Sequence, residues 1–193
     1  MATIGLDSLY YAKITEDANG NETYGTPKMM AKAMQADLTI NLNEATLYAD
    51  DTASEIVKEF GSGDLTLGID NIGYEAAQDL TGAVLDKNGV LISSGEDTAL
   101  PVAVGFRARK SNGTYRYYWF YRVKFGIPSA NLQTKGESIT FQTPSVEGTI
   151  QRRNKPDLKG NHPWRAEADE GGAGLGPSVI SGWFAQVYEP SFV

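Results

Sequence analysis

The pair Asn112-Gly113 stands between two runs of alternating side chains, and that combination specifies a β-hairpin. A two-residue turn between strands needs positive φ at both central positions, which Asn-Gly reaches with little strain. Leading in, Val102, Val104 and Phe106 alternate with Ala103, Gly105 and Arg107. Leading out, Tyr115, Tyr117, Trp119, Tyr121 and Val123 alternate with Arg116, Tyr118, Phe120, Arg122 and Lys124. A period of two is the strand signature. One face of the second strand is wholly apolar or aromatic and belongs on a core. The other mixes cations with Tyr118 and Phe120, as expected of a face turned to a partner or to solvent.

Charge sharpens this picture. Between Phe106 and Phe125 there are six basic residues, Arg107, Arg109, Lys110, Arg116, Arg122 and Lys124, and no carboxylate. The chain's formal net charge is −7, so with +6 in this segment the remainder carries −13. A basic aromatic hairpin on an acidic body suggests a protein that touches copies of itself. The sequence pI near 4.8 argues against a tightly held nucleic acid, because phosphate binding depends on a net cationic footprint. Cysteine is absent, which excludes a disulfide framework, thiolate metal sites and a cysteine nucleophile. The 193 residues fit one domain, 1–193, large enough to need no covalent staples. With no basic start followed by an apolar stretch, and no run of about 18 apolar residues, neither a signal peptide nor a membrane span is expected. The protein is expected to be soluble and made in the cytoplasm.

Along the chain, residues 1–34 carry turn signals at Asn19-Gly20-Asn21 and Tyr24-Gly25-Thr26-Pro27 with little sustained apolar periodicity, and read as an arm. Leu38, Ile40 and Leu42 share one face of a strand, as do Leu65, Leu67 and Ile69, with a short piece at Thr46-Leu47-Tyr48. The segment 43–63 reads as a long loop with short structure inside it, since Thr52 and Glu55 have capping-box spacing while Ile56-Val57 also suits a strand. Loops of that length are usually functional, so it is a candidate contact element. A helix is expected over Gly73–Thr81, capped at Asn71, with Tyr74, Ala77 and Leu80 inward and Gly82 as its stop. Further strands are expected at Val84-Leu85, Val90-Leu91-Ile92, Ser138–Gln142, Gly148–Gln151 and Trp183–Tyr188. Many short strands and one flanking α-helix make a mainly β fold, a sandwich or barrel.

Catalytic chemistry has little to work with. His162, the one histidine, sits in the turn-like Gly160-Asn161-His162-Pro163 and reads as a solvated loop residue. Asp50-Asp51 are sequence neighbours, which point apart on a strand, and no EF-hand spacing surrounds them, so loop solvation and salt bridging to a neighbouring subunit suit them better than a metal. Gly171-Gly172-Ala173-Gly174-Leu175-Gly176 lacks the Lys-Ser or Lys-Thr of a phosphate loop and reads as a connection between strands. No catalytic residue, metal or cofactor is expected. The sharper alternative is a single-stranded nucleic-acid platform in which Arg107, Arg109, Arg116, Arg122 and Lys124 hold phosphates beside Tyr118 and Phe120.

Ordered strings over most of the chain carry a resemblance. They are Gly5-Leu6-Asp7-Ser8-Leu9-Tyr10-Tyr11-Ala12, Tyr24-Gly25-Thr26-Pro27, Ala45-Thr46-Leu47-Tyr48-Ala49-Asp50-Asp51 and Lys110-Ser111-Asn112-Gly113 with Tyr115-Arg116-Tyr117. Thr134-Lys135-Gly136, Phe141-Gln142-Thr143-Pro144 and Val187-Tyr188-Glu189-Pro190 follow. In these the sequence resembles the major tail proteins of long-tailed phages of Gram-positive bacteria, the phi13 family. The resemblance implies a tail-tube subunit of the virion: a β-sandwich with a flanking helix, forming hexameric rings that stack into a hollow tube through which the phage genome passes. It also implies contacts with tape-measure, tail-tip and terminator proteins, no catalysis and no membrane. The segments 154–164 and 171–176 match no part of that pattern. On this reading Tyr10, Tyr11, Tyr48, Asp50, Asp51 and Glu55, together with Arg107, Arg109, Arg116, Arg122 and Lys124, are candidate subunit-interface residues. The basic hairpin of one copy would face the acidic 43–63 loop of the next, and an acidic bore would let DNA slide without gripping it.

Overall fold

The computed structural model describes residues 2–18, 20–49, 52–129, 134, 143–172 and 174–192, with backbone alone at 48–49 and 52–55. Its strands are β1 (Thr3–Glu16), β2 (Glu22–Tyr24), β3 (Lys28–Ala31), β4 (Ala33–Ala49), β5 (Thr52–Ile69), β6 (Val84–Leu85), β7 (Leu91–Ile92), β8 (Val102–Lys110), β9 (Tyr115–Phe125), β10 (Ser145–Gln151) and β11 (Arg165–Asp169). Two short helices, α1 (Tyr74–Thr81) and α2 (Pro177–Ser181), accompany them. The fold is mainly β, as expected. One curled antiparallel sheet runs β2-β1-β8-β9-β10-β5-β4, with β3 on β1 and β11 on β9, while β6 and β7 pair separately.

The hairpin forms where the Asn-Gly signal lies, but by a different turn. Ser111, Asn112 and Gly113 make a three-residue loop, Lys110 N–H donating to Thr114 O at 2.8 Å, and only Gly113 takes positive φ, at 87°. Strand β9 then occupies the centre of the sheet. It pairs with β8 along one edge, while β11 covers residues 116–120 and β10 covers 122–125 of the other.

Both faces of β9 are buried, which corrects the one-sided reading. Phe120 is fully buried beside Phe106, Leu65 and Leu67 in one core. Tyr117, Trp119 and Tyr121 pack into a second core on the opposite face, with Ala12, Trp183 and Val187. Val123 does not stay with Trp119: Val104 pairs with Phe120 and Val102 with Val123, so one extra residue on β9 switches the alternation and puts Val123 in the Phe120 core. The first core is closed by α1, through Ala76 and Leu80. Gly82 ends α1 at φ 82°, its N–H donating to Gln78 O. The N-cap is Gly73 rather than Asn71, and Tyr74 is exposed rather than inward.

Other expectations also change. The 1–34 arm is instead β1, β2 and β3, built into the sheet. Its periodicity was masked at Ser8, whose φ of 56° accompanies a shift of the β1–β8 register that brings Leu6, Leu9 and Tyr11 to one core. The long loop 43–63 is instead the outer part of the β4–β5 hairpin, continuous up to Ala49↔Thr52, with irregularities beside Asn41/Leu42 and Leu47/Tyr48 that break the alternation. The strand expected at Trp183–Tyr188 is a series of turns after α2, and the glycine-rich segment joins β11 to α2 rather than two strands. The strand expected over 138–142 lies outside the described residues.

The C-terminal segment is held over the second core by polar contacts as well as rings. Trp119 Nε1 donates to Trp183 O and Tyr121 Oη to Tyr188 O, each at 2.9 Å, and Trp183 stacks on Tyr188 at 5.3 Å. Opposite Trp119 on β8 is Gly105, where an added Cβ would lie 2.7 Å from the indole. Since Trp119 is fully buried and cannot retreat, Gly105→Ala should lower stability by about 1–3 kcal/mol. Chemical denaturation checks this; an unchanged midpoint would mean that the two strands can separate freely.

Candidate functional site

Among the described residues β5 pairs with β10 only between Gly63 and Gly68, and beyond Gly63 the strands β4 and β5 have only each other as ladder partners. They continue as a two-stranded ribbon from Leu42 to Ala49 and back from Thr52 to Phe60. At about 3.3 Å per residue the ribbon reaches roughly 25 Å beyond the sheet. Its base is anchored: Phe60 stacks on Trp164 with ring centroids 4.3 Å apart, and Arg152 donates to Phe60 O. Cross-strand register puts Leu42, Glu44 and Thr46 on one face with Phe60, Lys58 and Ile56, where Glu44 and Lys58 form an ion pair at 3.0 Å. Asn43, Ala45 and Leu47 share the other face with Glu59 and Val57. Leu42, Leu47, Ile56 and Val57 are each 45–60% exposed. An isolated two-stranded hairpin is marginal in water, and its free edges are templates for further pairing.

Two of the interface candidates, Asp50 and Asp51, lie outside the described residues. Of Tyr48 and Glu55 the structure gives the backbone, in register with Ala53 and Leu47. Tyr11 is buried, its Oη donating to Asp79 Oδ2 at 2.9 Å, and half-buried Tyr10 stacks on Phe184 at 4.8 Å, so both serve packing inside the chain.

The hairpin cations are largely consumed within the molecule. Arg107 pairs with Asp7 and lies 4.2 Å over the Tyr115 ring. Lys110 and Arg116 both reach Asp169 on β11, and these two donors hold its carboxyl below the usual carboxylate range. Arg122 binds Glu16 and Glu22, and Glu22, wholly buried, also accepts from Asn154 N–H at 2.8 Å. Arg109 and Lys124 are exposed and form no ion pair among the described residues. Phe120 is fully buried, so of the two rings in the single-strand reading only half-buried Tyr118 stands at the surface.

His162 Nδ1 lies 3.0 Å from Arg153 O, while Arg153, itself buried, pairs with Glu189 at 2.8 Å and covers the Tyr121 ring. Among the described residues no three His, Asp or Glu side chains gather as a metal site would. No helix is long and apolar enough to cross a membrane. Comparison with protein-family models and with curated proteins gave no match, so the resemblance rests on the strings quoted above.

Two outcomes follow from the buried polar groups. Glu22→Ala would leave Arg122 with Glu16 alone and the Asn154 N–H without its acceptor, and leaving buried polar groups unsatisfied costs about 1–3 kcal/mol, measurable as a lowered denaturation midpoint. Burial pushes the phenols of Tyr11, Tyr24 and Tyr121 well above their ordinary value. The unfolded chain ionises these groups first, so stability is intact below pH about 10 and is lost as pH rises past it. Absorbance titration should show them ionising only with unfolding; three normal titrations in the folded protein would contradict the packing.

Proposed function

We propose that this chain is a structural subunit that works by self-association, of the phage tail-tube kind: copies form hexameric rings that stack into a hollow tube through which phage DNA passes. The observation that carries the reading is the β4–β5 ribbon. A chain that buries two cores on one sheet nonetheless extends a ribbon of marginal intrinsic stability bearing Leu42, Leu47, Ile56 and Val57 in water. Such a surface is expensive unless a partner covers it. The outer edge of β4, which has no ladder partner among the described residues, adds a second means of joining sheets side by side.

The geometry also changes which residues the proposal relies on. Arg107, Arg116 and Arg122 hold the subunit together, leaving Arg109 and Lys124 as the hairpin cations open to a neighbour. The net charge of −7 per copy suits a bore that repels phosphates, so DNA is conducted rather than bound. Tape-measure, tail-tip and terminator proteins are the further partners this role requires.

Electron microscopy of concentrated purified protein tests the reading, with rings or hollow rods expected. The double variant Leu47→Asp and Val57→Asp should keep the native circular-dichroism spectrum and lose the rings. Rings that persist in that variant would remove the ribbon from the assembly, and a wild-type protein that never associates would remove the function.

A further inference from the structure

Three Asn-Gly pairs occur in the chain, Asn19-Gly20, Asn88-Gly89 and Asn112-Gly113. The pair carries a chemistry beyond turn formation. Glycine has no Cβ to obstruct its backbone nitrogen, which, once its proton passes to solvent base, can attack the Cγ of the preceding asparagine. The new N–Cγ bond closes a cyclic succinimide while the Cγ–Nδ2 bond breaks and ammonia leaves. Water then opens the ring, giving aspartate or, with the chain rerouted through the side chain, isoaspartate. Only water is consumed.

Asn19 lies outside the described residues, but the other two pairs sit in turns of the same construction. Gly89 N–H donates to Asp86 O and Gly113 N–H to Lys110 O, each at 3.0 Å, and the two glycines take positive φ, 80° and 87°. Both asparagines are exposed. In each the attacking nitrogen is occupied while the turn is closed, so reaction waits for the turn to open. The two turns differ in how firmly they are closed. Asn112 stands at the end of the β8–β9 ladder, whose strands are rooted in both cores, with Lys110 buried against Asp169 and Ser111 N–H donating to Ala2 O at 2.9 Å. Asn88 stands at the end of β6–β7, a ladder of two pairs, Val84↔Ile92 and Leu85↔Leu91, apart from the main sheet. No residue from 84 to 92 is buried. A ladder this short opens locally, at a small fraction of the free energy of global unfolding.

We propose that Asn88-Gly89 is a self-modification site of the folded protein, where spontaneous deamidation loosens the β6–β7 hairpin, while Asn112-Gly113 is protected by the strands that carry it. The assignment stands apart from the self-association reading. Loosening follows from what Asn88 touches. Asp86 Oδ1 accepts from the N–H groups of Asn88 and Val90, each at 2.8 Å, and Oδ2 accepts from Asn88 Nδ2 at 3.0 Å. These donors, the Val90 N–H foremost, hold the Asp86 carboxyl below the usual carboxylate range, so it is ionised at neutral pH. Deamidation replaces the Nδ2 donor with a second carboxylate facing Oδ2, so a hydrogen bond is lost and like-charge repulsion is gained. Either product favours the open turn, and isoaspartate also lengthens the backbone there by a methylene.

Peptide mapping by mass spectrometry, after the intact folded protein has stood in mildly alkaline buffer, checks the order of reaction. Asn88 should convert to aspartate and isoaspartate at least several-fold faster than Asn112, and the two rates should converge in denaturant. Equal rates in the folded protein would overturn the proposal. Because the chain has no cysteine, Leu85→Cys with Leu91→Cys installs a single cross-strand disulfide behind the turn. Its oxidised form should deamidate at Asn88 several-fold more slowly than the same protein reduced; a rate indifferent to the disulfide would overturn the gating by turn opening. Amide exchange over residues 86–91 should be several-fold faster in Asn88→Asp than in the wild type, and unchanged exchange would overturn the loosening.

Discussion

The structure depends on the burial of β9 on both faces. A strand with one wet face needs only a single core, but here Phe120 lies in one and Trp119 in the other, so the chain must supply two covers. The helix α1 closes the first, and the C-terminal turns carrying Trp183 and Val187 close the second. The cations flanking the rings are drawn into the same task. Arg116 ties β9 to β11 through Asp169, and Arg122 ties it to the β1–β2 turn through Glu22. What looks from its charge like a docking surface is a fastening for the fold.

With the body satisfied in this way, the uncovered parts stand out. Most groups of β8, β9 and β11 find partners in the chain, whereas among the described residues the ribbon beyond Gly63 and the facing edges of β1 and β4 have no further ladder partner. One is a projecting apolar element and the other borders a concave apolar cleft.

The sequence made the hairpin legible because Asn112-Gly113 and the alternation around it are local signals. The helix was equally readable, since Ala77, Leu80 and Gly82 sit where a helical period and a left-handed stop require. Elsewhere long-range pairing decided. Nothing near Trp119 announces a cover built from residues some sixty positions later. Irregular residues hid whole strands: Ser8 broke the pattern of β1, and the irregularity beside Leu42 broke that of the β4–β5 ribbon. The interface candidates suffered from the same limit. Charge alone marked Arg107, Arg116 and Arg122, but their acidic partners Asp7, Asp169 and Glu22 lie roughly 50–100 residues away in the sequence and become visible only in the folded chain.

The proposed self-association requires that a ribbon barely stable alone be secured by another copy, and amide hydrogen exchange reads that property directly. In dilute protein the amides of the ribbon beyond Gly63 should exchange far faster than those of β8 and β9, and they should become strongly protected as concentration rises, with β9 unchanged. Ribbon protection equal to that of β9 in the dilute state, and indifferent to concentration, would contradict the central claim.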